Sequence, residues 1–220
     1  MLPKGSQSFR PLRIECALMR LFSAAACDIA RPLMATSLRP LQLGDGLRGG
    51  VEFGARLLDI GYDQGDAILS IDVENAFNSA RHANIFQKIL NHIPLIARFF
   101  RWKYGGSSVM RDNYGKIVAY IRTDVGQGDP WGSFFFEIGL QPVLLSLQAK
   151  MRQIEAAYNM ENQHSPITRP GLVSAYEDDT SIRAQTPIIW ELASKIGTIR
   201  EGYTARESEG LLVMLVILVT

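Results

Sequence analysis

The sequence has few of the residues that build zinc sites or disulfide frameworks. Its 220 residues include 2 Cys and 3 His. Cys16 and Cys27 do not have the spacing of metal ligands, and the histidines are scattered at His82, His92 and His164. A zinc site or a disulfide scaffold is therefore not expected. Reduced thiols predict an intracellular protein, and the choice between nucleus and cytoplasm stays open.

Long apolar runs and a strong net charge are also missing. No stretch reaches the roughly 20 apolar residues of a membrane span. Residues 1–10 lack the apolar core of a signal peptide, so no membrane partner is expected. The net charge is +1, and a nucleic-acid binder this neutral has to concentrate its Lys and Arg on one face. The 47% apolar content is that of an ordinary folded protein with a real core.

What is present is a pattern of both helices and strands. The apolar spacing predicts helices over residues 11–30, 51–60, 81–90, 95–104, 133–154 and 187–199. It predicts a strand over 67–73, hairpins over 109–122 and 172–184, and a buried strand in the apolar stretch 211–219. The fifth predicted helix is strongly apolar and should be a core element. The fourth carries Arg98, Arg101 and Lys103 as a basic stripe, either a solvated face or a nucleic-acid contact.

Two adjacent carboxylates, Asp178 and Asp179, mark the turn of the hairpin over 172–184. Two ionised carboxylates side by side repel, so a fold that holds them together needs a cation between them. The alternative is a solvated Asp-Asp turn. A third acid, Asp72, ends the strand over 67–73. A carboxylate there is costly unless the end of the strand opens into a site.

If these elements are neighbours in one sheet, the three carboxylates converge. Oxygen ligands without His or Cys suit hard cations such as Mg²⁺ or Mn²⁺. Two such ions about 3.5–4 Å apart stabilise the attacking and the leaving oxygens of an in-line phosphoryl transfer. The residues by themselves therefore fit nucleotidyl transfer or a nuclease equally well.

Three segments resemble, in order, the palm motifs of reverse transcriptases. They are residues 72–77 (Asp-Val-Glu-Asn-Ala-Phe), 127–130 (Gln-Gly-Asp-Pro) and 176–179 (Tyr-Glu-Asp-Asp). The Gln-Gly-Asp-Pro form is similar to that of the non-LTR (LINE-type) retrotransposon enzymes. Residues 39–41 (Arg-Pro-Leu) are similar to an element of their fingers. The resemblance covers roughly residues 38–184.

This resemblance implies an α+β fold: a right-hand polymerase palm, with a small antiparallel sheet packed on helices, partial fingers and no thumb. We expect an N-terminal helical segment over 1–37, fingers and palm over 38–200, and an irregular apolar tail over 201–220. The implied activity is that of an RNA-directed DNA polymerase, a nucleotidyltransferase of a retroelement. It implies two Mg²⁺ or Mn²⁺ ions, an RNA template with a DNA primer, and deoxynucleoside triphosphates as partners. The oligomeric state stays open.

The resemblance also implies residue roles in catalysis. Asp72, Asp178 and Asp179 are the implied catalytic residues and metal ligands, with the carbonyl of Val73 as a further ligand. In the family, a small or apolar residue stands where this chain has Glu177. Glu177 places an extra negative charge near a primer phosphate.

Four more positions match nucleotide-binding residues of the family. Phe77 is placed to block a ribose 2′-hydroxyl, and plain core packing is the alternative. Gln127 and Gly128 are expected to line the incoming nucleotide and the template, and Arg39 to contact the triphosphate. The missing thumb and Glu177 keep a second hypothesis open: a catalytically silent palm remnant that at most binds nucleic acid or a partner.

Overall fold

The computed structural model describes residues 2–4, 8–10, 16–45, 47–74, 76–106, 108–112, 114–121, 125–126, 128–204 and 212–218. The helices are α1 (Ala17–Leu38), α2 (Gly50–Asp63), α3 (Ala76–Ser79), α4 (His82–His92), α5 (Ala97–Tyr104), α6 (Gly132–Glu161) and α7 (Thr186–Thr204), with a short 3-10 helix at Pro94–Ile96. The strands are β1 (Leu2–Lys4), β2 (Ser8–Arg10), β3 (Ala67–Glu74), β4 (Ser108–Arg111), β5 (Ile117–Ile121), β6 (Leu172–Tyr176), β7 (Asp179–Ala184) and β8 (Leu212–Leu218). Within these ranges, no helix has the length and apolar character needed to cross a bilayer.

The chain divides into two compact units. Unit 1 comprises residues 1–37 and 76–139, and unit 2 comprises residues 38–75 and 140–220. The division at residues 37 and 200 that the sequence suggests stays a prediction.

Unit 2 contains a four-stranded sheet in the order β6-β7-β3-β8. Each strand pairs antiparallel with its neighbour. Alternate residues of β3 and β7 are buried, among them Leu69, Ile71 and Ile182, because successive side chains of a strand point to opposite faces. Helices α2 and α7 contact this sheet. The predicted small antiparallel sheet packed on helices is therefore confirmed.

The apolar stretch near the end of the chain supplies the edge strand β8. It pairs with β3 from Ile68↔Leu218 to Glu74↔Leu212. This pairing covers the side of β3 that β7 leaves open. The strand predicted there is thus part of the same sheet as the two acidic segments.

Unit 1 is centred on a cluster of aromatic rings. Phe135 of α6 meets Phe100 edge to face at 4.8 Å and stacks on Trp131 at 5.2 Å, measured between ring centroids. Such pairs contribute about 0.5–1.5 kcal/mol beyond the burial of their area. The apolar start of α6 is therefore a core element, as its sequence indicates.

Helix α1 extends beyond its predicted end. The prediction covers residues 11–30, whereas the helix runs from Ala17 to Leu38 and contains Pro32. A proline inside a helix costs about 3 kcal/mol because it removes a hydrogen bond and crowds the preceding turn. Met34 and Leu38 are fully buried, and packing of this kind offsets the cost.

Candidate active site

The acidic hairpin of unit 2 turns on two residues. Tyr176, the last residue of β6, pairs with Asp179, the first residue of β7. The turn therefore consists of Glu177 and Asp178, and the prediction that placed Asp179 in the turn was wrong by one residue. Glu177 has a φ of 55°, in the left-handed region. Two-residue hairpin turns need a positive φ at their first position, which is why they favour Gly or Asn there.

The sheet register brings Asp72 next to this hairpin. Strands β3 and β7 pair up to Ile71↔Thr180, and the next residues along the two strands are Asp72 and Asp179. Paired strands lie about 4.7–4.9 Å apart, so the backbone at Asp72 is close to the start of β7. The predicted adjacency of the two acidic segments is therefore confirmed at the level of strand pairing.

The electrostatics of the turn reflect this crowding of negative charge. Partial burial raises the pKa of Asp178 above its ordinary value, while a backbone hydrogen bond lowers it. The charges of Asp179, Glu177 and Asp72 raise the same pKa further. Within the described part of the chain, no Lys or Arg forms an ion pair with Asp72, Asp178 or Asp179.

The basic residue of β7 lies at the other end of the strand. Arg183 donates a hydrogen bond from Nη1 to Oδ2 of Asp66 at 2.8 Å, and Arg169 donates to Oδ1 of the same carboxylate at 3.2 Å. Asp66 is buried and immediately precedes β3. Both arginines are thus paired with Asp66, at the end of the strand pair opposite the acidic turn.

The chemistry of the donor set fits a hard divalent cation. Carboxylates at one end of the sheet supply only oxygen ligands, and a cation would offset the burial and the repulsion that raise the pKa of Asp178. In their present rotamers, no three His, Cys, Asp or Glu side chains of the described residues are grouped so that they hold a metal ion. Val73, the implied carbonyl ligand, lies in β3 with its backbone paired to Val213. The metal ligands stay a prediction.

Arg39 lies at the start of a segment that joins the sheet. It is exposed in the turn after α1. Two residues later, the Leu41 carbonyl accepts a hydrogen bond from the Ala175 amide at 2.8 Å, and the Leu43 amide donates to the Ala175 carbonyl at 2.7 Å. This segment thus pairs with β6, two residues before the acidic turn.

Gln42, in the middle of that segment, did not stand out in the sequence. Its side chain is buried, and Nε2 donates to the carbonyl of Glu177 at 3.3 Å. Its Oε1 is enclosed and has no hydrogen-bond donor among the described residues. The only signal in the sequence is a polar residue between two leucines, directly after the Arg-Pro-Leu element.

The remaining predicted nucleotide-binding residues belong to unit 1. The ring of Phe77 is half-buried and stacks on Phe136 with centroids 5.0 Å apart. Core packing, the alternative for Phe77, therefore accounts for part of its surface, and sugar selection stays a prediction. Gln127 lies outside the described residues. Gly128 is exposed with a φ of 94°, in the left-handed region that favours glycine.

Asp129 of the Gln-Gly-Asp-Pro motif is held by a buried ion pair. Its Oδ1 lies 2.7 Å from Nζ of Lys103 and accepts a hydrogen bond from the main-chain amide of Trp131. Its Oδ2 accepts a hydrogen bond from the hydroxyl of Tyr104. Lys103 donates as well to Oγ of Ser23 at 2.6 Å. Both charged side chains of the pair are almost completely enclosed. The prediction that Lys103 belongs to an exposed basic stripe was therefore wrong.

Comparison with known proteins gives a likeness of fold. No profile of a known protein family matches the sequence, and no curated protein matches it. Among solved structures, the telomerase of Candida albicans in complex with the TWJ fragment of telomeric RNA superposes with a TM-score of 0.59 at 12% identity, over 90% of this chain and 35% of that one. The apo telomerase of Candida tropicalis, truncated from its C-terminal domain, gives 0.56 at 12% identity, over 89% and 40%.

The fold is reverse-transcriptase-like. Telomerases are relatives of reverse transcriptases, and the likeness extends over nine-tenths of this chain. The chain spans only 35% to 40% of the two telomerase chains. The likeness therefore concerns the fold alone.

Proposed function

We propose that this chain is the palm-bearing part of an RNA-directed DNA polymerase of the non-LTR retrotransposon kind. The observation that carries the proposal is the register that sets Asp72 beside the Tyr-Glu-Asp-Asp hairpin. The likeness to telomerases supports it, and the RNA bound in the Candida albicans complex supports an RNA partner for this chain. The specific tie to non-LTR elements rests on the Gln-Gly-Asp-Pro form of residues 127–130.

In this proposal the reaction joins a primer 3′-hydroxyl to the α-phosphate of a deoxynucleoside triphosphate and releases pyrophosphate. Asp72, Asp178 and Asp179 would hold Mg²⁺ or Mn²⁺, and the bound metal would supply Lewis-acid stabilisation of the attacking and leaving oxygens. The pairing of β3 with β7, which ends one residue before Asp72 and Asp179, supports this assignment. Partial burial and the neighbouring charges raise the pKa of Asp178, and both work against the ionised form that a metal ligand needs.

The resemblance assigns four further residues to the substrates. Arg39 contacts the triphosphate, and Gln127 with Gly128 lines the nucleotide and template. Phe77 screens the sugar for a 2′-hydroxyl. The left-handed φ of Gly128 and its exposure support a close approach of backbone to ligand there.

A second candidate is a catalytically silent palm remnant that binds nucleic acid or a partner. Glu177 favours it, since its charge adds to those that raise the pKa of Asp178. A protein of this kind binds an RNA–DNA hybrid but does not extend the primer.

Primer extension on poly(rA)/oligo(dT) with Mg²⁺ or Mn²⁺ tests the proposal, with hybrid binding measured in parallel by fluorescence anisotropy. Asp179→Asn should lower the extension rate by about a thousandfold, because it removes a metal ligand worth several kcal/mol in the transition state. Asp63→Asn is the matched control, since Asp63 is an exposed acid at the end of α2. Hybrid binding by the wild-type chain without any extension would favour the remnant instead.

A further inference from the structure

We propose that Gln42 is a positioning residue for the acidic turn: it holds Glu177 in its left-handed conformation and so fixes the positions of Asp178 and Asp179. The importance of those positions rests on the proposed function. The geometric claim stands on contacts within unit 2 alone.

The backbone around Gln42 is tied to β6 just before the turn. Gln42 forms a parallel bridge with Ala175, and the residues on either side of it exchange two main-chain hydrogen bonds with Ala175. Ala175 precedes Glu177 by two residues. This pairing positions the Gln42 side chain beside the turn, where Nε2 donates a hydrogen bond to the Glu177 carbonyl at 3.3 Å.

The bond from Gln42 is made to the main chain of the turn itself. In a two-residue hairpin turn, the strand ladder ends at the flanking pair, here Tyr176 and Asp179. The Glu177 carbonyl lies beyond that pair, so the bond from Gln42 adds a restraint on the turn to those that the ladder supplies. Glu177 also carries a side chain in a region of φ that glycine tolerates best. The bond from Gln42 thus stabilises a conformation that Glu177 does not favour by itself.

The orientation of the Gln42 amide supports a specific role. Exchanging its nitrogen and oxygen would set Oε1 against the Glu177 carbonyl, so the donor has to face the turn. This orientation leaves Oε1 buried and without a donor among the described residues. A methionine of similar length would fill the space without an unpaired oxygen. Packing alone therefore does not account for an amide here, whereas holding the turn does.

Gln141 provides a matched control in the same unit. It is another partly enclosed glutamine whose Nε2 donates to a main-chain carbonyl, that of Leu38 at 3.1 Å, and whose Oε1 is likewise buried and unpaired. Its acceptor is at the end of α1 and not in the acidic turn. Gln42→Met and Gln141→Met remove the same kind of bond at two different places.

The test measures amide hydrogen exchange at residues 177–179 and binding of Mn²⁺ by electron paramagnetic resonance in the full chain. Gln42→Met should speed exchange in the turn about tenfold and weaken Mn²⁺ binding by about tenfold or more, as is usual when a partner that orients metal ligands is lost. Gln141→Met should leave both within about twofold of wild type. Equal effects of the two variants, or no effect of Gln42→Met, would overturn the proposal.

A double-mutant cycle separates loss of the turn from general destabilisation. Glu177→Gly removes the side chain that disfavours a positive φ, so Gln42→Met should change turn exchange less in the Glu177→Gly background than in the wild type. An equal change in both backgrounds would count against a role for Gln42 in holding Glu177. If the wild-type chain binds no Mn²⁺ while Gln42→Met still loosens the turn selectively, the positioning role stands and the proposed polymerase function fails.

Discussion

Asp129 of the Gln-Gly-Asp-Pro motif and Asp178 of the Tyr-Glu-Asp-Asp motif lie in opposite electrostatic environments. Asp129 in unit 1 is fully enclosed and is paired with Lys103, which is enclosed as well. Asp178 in unit 2 is half-buried near Asp179, Glu177 and Asp72, and burial together with these charges raises its pKa. The first carboxylate is neutralised within the chain, whereas the second is surrounded by charges of its own sign.

This difference separates a structural acid from a candidate ligand. A buried carboxylate with its own lysine has no need of an external cation, because the ion pair and its hydrogen bonds already stabilise the charge. A cluster of acids that repel one another gains free energy when a cation binds. Removing a single charge should therefore have opposite effects on stability in the two places.

The largest expected effect is in unit 1. Lys103→Met leaves Asp129 buried without its cation and should lower the free energy of unfolding by about 3–5 kcal/mol. The double variant Lys103→Met/Asp129→Asn should recover much of this loss. Urea denaturation measures both. The exposed pair Arg31–Asp28 is the control, and Arg31→Met should cost less than about 1 kcal/mol. A cost for Lys103→Met no larger than that of the control would show that the pair is not buried as described.

A smaller effect is expected at the first residue of the acidic turn. Glu177→Gly should raise the free energy of unfolding by about 1 kcal/mol, because glycine adopts a positive φ without strain. Glu177→Gln keeps the side chain and removes only the charge, so the difference between the two variants isolates the backbone contribution. Chemical denaturation at several salt concentrations gives both values, since only the charge contribution is screened by salt. If Glu177→Gly is no more stable than Glu177→Gln, strain in the turn is not the cause.

The smallest effect concerns the charge of Asp178 and depends on pH. Its pKa is raised in the folded state, so ionisation opposes folding and stability falls as pH rises through that pKa. Asp178→Asn should therefore melt at a slightly higher temperature than the wild type at pH 7, and the gain should vanish as pH falls below the ordinary range of an aspartate. Mg²⁺ should raise the melting temperature of the wild type more than that of the variant. A variant that is less stable than the wild type at pH 7 would contradict the repulsion described.

Much of the secondary structure follows from apolar spacing alone. The strand over 67–73, the acidic hairpin and the apolar segment near the chain end correspond to β3, β6–β7 and β8, because alternation and turn residues are local signals. The ends of the helices follow less closely from the sequence than the positions of these strands do. The end of α1 moved from residue 30 to Leu38, since buried residues beyond Pro32 keep the helix intact.

The acidic positions of the candidate site can be picked out from the sequence, and their roles as metal ligands stay a prediction. Asp72, Asp178 and Asp179 were identifiable because acids at the ends of apolar strands are costly unless they face a site or a partner. Gln42 was not, since nothing in its local sequence indicates which carbonyl it will meet 135 residues later. The turn consists of residues 177–178 and not of the predicted residues 178–179. The difference arises because Glu177 adopts a positive φ, which its residue type does not predict.

By itself, then, the sequence determined the strands of the four-stranded sheet and which acids stand at their ends, since burial and charge repulsion act over a few residues. Tertiary structure alone decided which charge is neutralised. Lys103 follows Arg98 and Arg101 along a helix and has the local pattern of a solvated stripe, yet it is buried. Its partner Asp129 lies 26 residues further along the chain, and the aromatic core around α5 and α6 brings the two together. The free energy of a buried charge depends on what surrounds it in space, which no local pattern encodes.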